Sequence, residues 1–251
     1  MQFQVGTQSI TVNIADGAAL DAAVRARLAA REGFALATIN LDHLVKLRRS
    51  AQFRAAYAAQ DMVVADGNPV IWLSQLAGAP VHLLPGSDIV VPLARLAAAA
   101  GVPVALLGST DAALRAAGQR LQTLVPGLDV ALCAAPPMGF DPDGEAAATL
   151  LQSLQDQRIG LCFLALGAPK QEILAARGRI LAPSTGFVSV GAGLDFLAGT
   201  QLRAPLWVRR LALEWLWRTL QSPGRMIPRY AACAALLPRL AADALRQRRR
   251  A

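Results

Sequence analysis

Six short apolar runs divide the chain up to residue 190. Each run is nearly continuous in hydrophobic side chains and does not alternate with polar ones, which is typical of strands covered on both faces of a sheet. The predicted strands span residues 34–38, 62–65, 102–107, 128–133, 159–166 and 187–190. We therefore expect a sheet that is buried in the middle of the molecule.

Helical stretches lie between these runs, and several of them begin at a Ser, Thr, Asp or Pro that suits a helix start. The predicted helices span residues 41–59, 69–78, 88–100, 110–124, 143–157 and 169–181. The repeated strand-then-helix order predicts an α/β fold with a Rossmann-like, mostly parallel sheet and helices on both faces. In such folds ligands bind beyond the carboxyl ends of the strands.

The last part of the chain has a different pattern. Residues 206–221 and a second stretch from about 228 or 238 onward have helical periodicity, without the alternating strands. We predict two units: an α/β core over residues 1–202 and a basic, amphipathic helical appendage over residues 203–251.

Charge is concentrated in that appendage. The net charge is +8, and from Arg203 onward eleven arginines and two acidic residues give +9, whereas the preceding residues give −1. A basic end on a nearly neutral body indicates an anionic partner such as a phosphate, a membrane surface or a nucleic acid.

The cysteines and histidines exclude some classes of protein. Three cysteines stand far apart and only two histidines occur, so we predict a reduced, cytosolic protein with no structural zinc, no metal and no cofactor. The first residues lack a signal-peptide pattern. The longest uncharged stretch, residues 67–87, contains three prolines, so we expect no transmembrane span.

Polar residues follow two of the predicted strands. Asp66 comes just after the strand at 62–65, and Thr38 and Asn40 end the strand at 34–38. A turn aspartate that caps the next helix is as good an explanation of Asp66 as a catalytic one. If it is functional, its carboxylate can take a proton from a substrate hydroxyl.

Two other strand ends have sequences that suit a polar ligand. The sequence LGAPKQE, residues 166–172, places Gln171 at a strand-to-helix turn, where free N–H groups favour phosphate, although a plain connection is equally compatible. The sequence VGAGLDF offers Gly191 and Gly193, but Phe196 stands where a dinucleotide fingerprint needs glycine. Asp141 and Asp143 are best explained as a loop.

The appendage carries a regular arginine pattern. On one continuous helix Arg210 and Arg218 would form a stripe with Glu214, and Arg225 and Arg229 repeat the spacing of four residues. Arginine without lysine favours phosphate binding, and the accompanying tryptophans favour a membrane interface.

Taken together, these motifs resemble the WecG/TagA/CpsF glycosyltransferases, family 26, over nearly the whole chain. The resemblance rests on TIN (38–40), ADGNPV (65–70), LPGSD (84–88), LGAPKQE (166–172), GAGLDFLAGTQLRAPLW (191–207) and LEWLWRTLQSPGRMIPRY (213–230). It implies an inverting, metal-independent transfer from a UDP-sugar to a polyprenyl-diphosphate-linked saccharide, at the inner face of the bacterial cell membrane.

The resemblance also implies roles for individual residues. The catalytic group would be Asp66 as general base with Thr38 and Asn40, and Phe140, Gln171 and Asp195 would lie at the donor. To this donor site we add Gly108, Gly191 and Gly193 from their positions after predicted strands. The acceptor diphosphate would meet Arg203, Arg218, Arg225 and Arg229, and the helical stripe adds Arg210 to this set. Leu83 departs from the family, which commonly has arginine there.

Three other functions stay open at this point: a nucleic-acid-binding protein, a dinucleotide-dependent oxidoreductase and a non-catalytic membrane adaptor. We expect no nucleic-acid partner, because the body is neutral and carries no recognised nucleic-acid motif. The donated sugar, the acceptor saccharide and homo-oligomerisation are left undetermined by the sequence.

Overall fold

A computed structural model describes residues 1–250 and contains a six-stranded parallel sheet at its centre. The sheet strands are β3 (Phe34–Ile39), β4 (Met62–Ala65), β5 (Val104–Gly108), β6 (Val130–Ala134), β7 (Leu161–Ala165) and β8 (Gly186–Ser189), in the order β4-β3-β8-β7-β5-β6. All six predicted strands are present and every neighbouring pair is parallel. The predicted α/β fold class is thus confirmed.

A small antiparallel hairpin precedes the sheet and was not predicted. It comprises β1 (Gln2–Val5) and β2 (Gln8–Thr11). The helices are α1 (Gly17–Ala30), α2 (Leu41–Arg49), α3 (Ala51–Ala58), α4 (Asn68–Leu76), α5 (Gly86–Ala99), α6 (Asp111–Leu124), α7 (Glu145–Asp156), α8 (Lys170–Leu181), α9 (Gly193–Ala198), α10 (Leu206–Arg210), α11 (Glu214–Gln221) and α12 (Pro223–Arg248). Among residues 1–250, no helix is long and apolar enough to cross a membrane.

Two predicted helices are each broken in two. The helix expected over 41–59 breaks at Ser50, which leaves helical geometry and caps α3 by accepting a hydrogen bond from Phe53 N. The helix expected over 206–221 breaks around Ala212, whose φ of 60° is left-handed. A left-handed residue cannot continue a right-handed helix.

The last helix, α12, is one 26-residue element despite two internal prolines, Pro228 and Pro238. Those prolines suggested a start at 228 or 238, but the helix begins at Pro223. Its second half is amphipathic, and it packs against α2 and α4.

The carboxyl ends of β3, β4 and β8 open into one cleft. The predicted appendage, called the tail from here on, lines the other side of this cleft. The far end of that tail is part of the body's packing: Cys233, Leu236, Leu240 and Ala244 of α12 are buried in the cluster that contains Leu44 and Tyr57. The division at residue 202/203 stays a prediction.

Candidate active site

A cavity of about 1010 Å³ lies at the carboxyl ends of β3, β4 and β8. One wall consists of strand ends and the turns that follow them, and the opposite wall consists of α11 and the start of α12. Ten of the predicted site residues line it: Thr38, Asn40, Asp66, Gln171, Gly191, Gly193, Arg203, Arg218, Arg225 and Arg229. The fold therefore brings together residues from both the predicted core and the predicted appendage.

Asp66 lies on the floor of this cleft. Its backbone N–H donates to Ile39 O at 2.8 Å, which fixes the end of β4 against the end of β3. Its carboxylate Oδ2 accepts a hydrogen bond from Asn40 Nδ2 at 3.3 Å. Asn40 is itself fixed, because its Oδ1 caps α2 by accepting from His43 N at 3.1 Å.

The environment of Asp66 changes its acidity. Burial raises the pKa of the Asp66 carboxyl above its ordinary value, and the Asn40 donor and the positive charge of Arg218 partly offset this increase. A higher pKa makes the carboxylate a stronger base, while the nearby cation keeps its charged form accessible. Such a group suits the abstraction of a proton from a hydroxyl.

The end of β3 is held by a buried hydrogen-bond network. Tyr57 Oη donates to Thr38 O at 2.6 Å, and His43 Nδ1 lies 2.8 Å from both Thr38 O and Tyr57 Oη. Burial lowers the pKa of His43 to about 4, so the ring is neutral at physiological pH. The network therefore orients the backbone beside Asp66 without adding charge.

Gln171, in the first turn of α8, links that helix to the turn that follows β8. Its Nε2 donates to Glu172 Oε1 at 2.8 Å, and its Oε1 accepts from Gly191 N at 3.2 Å. Glu172 is fully buried, and burial raises its pKa to about 7. Its second oxygen has no hydrogen-bond partner within residues 1–250, which favours the protonated form. The amide of Gln171 is therefore held in one orientation at the cavity surface.

Two arginines of the tail, Arg203 and Arg218, are held by carboxylates in this part of the cleft. Arg203 forms a two-pronged contact with Asp88 of α5, and Arg218 forms one with Glu214 at 2.8 and 3.2 Å. The Arg218 guanidinium also lies 5.7 Å from the centre of the Phe196 ring. The Arg203–Asp88 pair joins the tail to α5, whereas the Arg218–Glu214 pair lies within α11.

Two predicted donor residues, Phe140 and Gly108, do not line the cleft because both are packed inside the α/β body. Phe140 is 7% exposed and belongs to the core cluster between α7, α8 and the sheet. Gly108 ends β5 with φ of 112°, and a β-carbon there would lie 2.5 Å from the Ala165 backbone. The structure thus explains Gly108 by the close approach of β5 to the turn after β7.

Asp195 and Arg210 also lie outside the cavity lining. The Asp195 carboxylate accepts hydrogen bonds from Ser109 Oγ and, at 2.9 Å, from Gln201 Nε2. Arg210 is exposed at the last position of α10. The predicted stripe through Arg210 is wrong, since the chain turns at Ala212 before α11 begins.

Leu83, where the family often has arginine, pairs with Ala65 next to Asp66 and is 39% exposed.

The sequence reasoning missed one set of cavity residues. Asp42, Lys46 and Arg49 of α2 line the cleft beside the predicted groups. Their spacing of four and three residues after the Asn40 cap would have placed them on one helix face. No cluster of three or more potential metal ligands from His, Cys, Asp and Glu occurs in the described part of the chain.

Comparison with known proteins agrees with this geometry. A family profile described as "Glycosyl transferase WecG/TagA/CpsF family" matches residues 7–251. The chain is also 27% identical over 206 residues to the N-acetylglucosaminyldiphosphoundecaprenol N-acetyl-beta-D-mannosaminyltransferase of Bacillus spizizenii, covering 79% of this chain and 77% of that protein. Because this profile matches nearly the whole chain, including the residues of both walls of the cleft, the chain belongs to the WecG/TagA/CpsF family of glycosyltransferases.

Proposed function

We propose that this protein is an inverting glycosyltransferase that moves a hexose or N-acetylhexosamine from a UDP-sugar to a polyprenyl-diphosphate-linked saccharide. Such a reaction serves the synthesis of a cell-surface polysaccharide. The Bacillus spizizenii relative is named for the transfer of N-acetylmannosamine to a diphosphoundecaprenol-linked sugar, and supports this class of acceptor. The single observation that carries the proposal is the Asp66 carboxylate on the floor of a cleft whose opposite wall is rich in arginine.

The proposed reaction is one displacement. Asp66 removes the proton from the acceptor hydroxyl, and the acceptor oxygen bonds to the anomeric carbon of the donor sugar. The bond from that carbon to the UDP oxygen breaks at the same time, and UDP leaves from the opposite face. Attack and departure on opposite faces invert the anomeric configuration.

The leaving UDP and the lipid-linked diphosphate are both strongly anionic, and this chain can meet that charge with its own groups. Arg203, Arg218, Arg225 and Arg229 line the cleft and supply N–H donors that suit phosphate oxygens. At Gly191 no atom lies within 4 Å of the place a β-carbon would take, so a ligand can approach the backbone there, whereas at Gly193 that place is filled by Ser87, Val190 and Val90. We propose that the four arginines hold the acceptor diphosphate.

The tail also supplies a surface for a membrane. Large apolar side chains of the segment 202–227 are exposed: Leu202, Leu206, Trp207, Leu211, Trp215, Leu216, Leu220 and Ile227. Exposed leucine and tryptophan beside arginine favour the interface of an anionic bilayer. We propose that this segment rests on the cytoplasmic face of the cell membrane, where a polyprenyl substrate is anchored.

The proposal is tested by replacing the base. The variant Asp66→Asn keeps the shape of the side chain and loses its basicity, so kcat should fall by about 10²–10⁴-fold. UDP affinity, measured by calorimetry, should stay close to that of the wild type. The control Asp156→Asn removes an exposed carboxylate at the end of α7 and should transfer sugar normally. Wild-type turnover by Asp66→Asn would refute the assignment.

The donor sugar needs a separate assay. A panel that includes UDP-glucose and UDP-N-acetylmannosamine, tested against glucosyl- and N-acetylglucosaminyl-diphospho-lipids, identifies the pair that is used. Failure of every pair would count against the proposed transfer.

A further inference from the structure

One face of α2 points into the cleft and carries charge that the proposed mechanism has not used. Asp42, Lys46 and Arg49 follow each other at spacings of four and three residues, and all three line the cavity. His43 lies on the same side of α2, but its imidazole ring is neutral because burial lowers its pKa to about 4. This face stands next to the first turns of α12, which bring Arg225 and Arg229.

A single carboxylate oxygen joins the two helices. Asp42 Oδ2 lies 2.8 Å from Lys46 Nζ and 3.0 Å from Arg229 Nη2. The Asp42 side chain is only 12% exposed, whereas those of Lys46 and Arg229 are 40% and 33% exposed. Lys46 Nζ also donates to Ala168 O at 3.2 Å, which holds the ammonium at the turn before α8. Both cations are therefore fixed in position and still reach the cavity.

The charges of this region do not balance. Four cations, Lys46, Arg49, Arg225 and Arg229, face one acid, Asp42, which leaves a net charge of +3 on this part of the wall. The other two lining arginines are different, since Arg203 is paired with Asp88 and Arg218 with Glu214, one acid for each cation. The uncompensated positive charge of the cleft is thus concentrated between α2 and α12.

Uncompensated positive charge gathered at the wall of a cavity is stabilised by an anion of matching charge and size. A diphosphate group carries several acceptor oxygens in a compact volume. Arginine binds such oxygens as a planar fork and lysine binds them as a point charge. A single carboxylate offers less charge than this wall presents.

We propose that Lys46 and Arg49 of α2, together with Arg225 and Arg229 of α12, form the subsite for a substrate diphosphate. Asp42 is a positioning residue that holds Lys46 and Arg229 side by side. The inference deepens the proposed function and rests on it for the identity of the substrates. It adds two residues from the α/β body to a role that the sequence had given to the tail alone.

The test measures binding, so it does not depend on turnover. Calorimetry at low salt compares inorganic pyrophosphate, UDP and farnesyl diphosphate as ligands of the full chain. Lys46→Ala should weaken pyrophosphate binding on the order of tenfold to a hundredfold, since a hydrogen bond to a charged group is lost. Arg49→Ala should weaken it in the same direction. Lys46→Arg keeps the charge and should restore most of the affinity.

Arg48 provides the matched control. It neighbours Arg49 on α2 and is exposed, but it does not line the cleft. Arg48→Ala should bind all three ligands as the wild type does, which separates a local contact from a general loss of positive charge. Thermal melts of each variant show whether a weak binder is simply unfolded, in which case Lys46→Arg carries the test.

The separate ligands identify the source of the diphosphate. Weaker binding of UDP with unchanged farnesyl diphosphate assigns the subsite to the donor, the reverse assigns it to the lipid, and a loss of both shows a shared wall. Wild-type affinity of Lys46→Ala and Arg49→Ala for all three ligands would overturn the inference. If the wild type binds pyrophosphate through Lys46 but transfers no sugar, the subsite stands and the proposed function fails.

Discussion

The two walls of the cleft are built in different ways. The sheet wall presents Thr38 at the end of β3 and Gln171 in the first turn of α8, which are 4% and 2% exposed. Hydrogen bonds from buried groups hold the Thr38 backbone and the Gln171 amide. The tail wall presents arginines on helices, and α11 buries none of its residues. Ion pairs with the body hold this second wall. The sheet wall thus carries the proposed base, and the tail wall carries most of the proposed anion contacts, which it shares with Lys46 and Arg49 of α2.

The tail wall is nevertheless anchored at its far end. The start of α12 lines the cleft, while its second half packs into the body through Leu236 and Leu240. One helix therefore connects an exposed, ligand-facing end to a buried end. We therefore expect substitutions at the buried end of the tail to lower the stability of the protein. Substitutions at the exposed end should lower membrane binding and leave stability nearly unchanged.

The largest expected effect concerns the buried end of the tail. Leu236 and Leu240 are 8% and 6% exposed, so Leu236→Ala and Leu240→Ala should each lower the free energy of unfolding by about 2–5 kcal/mol. Urea denaturation followed by circular dichroism measures this. The control Leu245→Ala lies on the same helix at 43% exposure and should cost about 1 kcal/mol or less.

The same experiment tests the proposed division at residue 202/203. The double variant combines Leu236→Ala with Leu240→Ala. If its body unfolded at the wild-type urea midpoint while α12 alone lost structure, the tail would be an independent appendage. A single transition at lower urea would show that body and tail fold as one unit.

The next effect concerns the sheet wall and depends on pH. The pKa of Glu172 is about 7 in the folded protein against an ordinary value of 4.5, so the native state binds the proton more tightly. Its contribution to stability is complete below about pH 4.5 and is lost as the pH rises through about 7. At about 1.4 kcal/mol per pKa unit, the loss amounts to about 3 kcal/mol.

Glu172→Gln should remove this loss, because the amide keeps an oxygen acceptor for Gln171 and cannot ionise. Relative to the wild type, the variant should therefore gain about 3 kcal/mol of unfolding free energy between pH 5 and pH 9. The control Glu145→Gln changes an exposed glutamate at the start of α7 and shows whether any such substitution produces the trend. A parallel pH profile of wild type and Glu172→Gln would contradict the prediction.

The smallest effect on stability is expected at the exposed end of the tail. Leu206→Ser and Leu220→Ser change side chains that are 52% and 73% exposed, so the free energy of unfolding should move by no more than about 0.5 kcal/mol. Binding to anionic lipid vesicles should fall, since each leucine contributes on the order of 1 kcal/mol when it enters the interface. Cosedimentation with vesicles measures this.

Ile180→Ser is the matched control for the membrane surface. Ile180 is 79% exposed, but it belongs to α8 and lies outside the tail. Its loss should leave vesicle binding unchanged. Equal losses for Ile180→Ser and Leu220→Ser would show that the tail is not the membrane contact.

Much of the fold could be predicted because burial leaves a direct trace in the sequence. A strand covered on both faces must be apolar along its whole length, and this holds for five of the six sheet strands. The edge strand β6 is only partly buried and was found because it too is apolar. The two helix breaks left no such trace. Ser50 is compatible with a helix interior, and Ala212 is a strong helix former, so only the packing of the flanking helices decides that the chain turns there.

The candidate site shows the same limit. Thr38, Asn40 and Asp66 were predicted to lie together because parallel strands end at a common edge. Phe140 and Asp195 were assigned to the donor site by resemblance, yet the structure places the first in the core and the second against Ser109 and Gln201. Which neighbours a side chain meets depends on how helices and turns pack, and local sequence does not specify this.

The sequence by itself determined the parallel α/β fold, the strand-end position of Asp66 and the basic character of the tail. Each of these follows from local composition and from the order of elements along the chain. Only the tertiary structure decided that α2 and α12 meet at Asp42, where Lys46 and Arg229 share one carboxylate oxygen. These residues are far apart in the chain, and the packing of α12 against α2 and α4 brings their charges to the same wall.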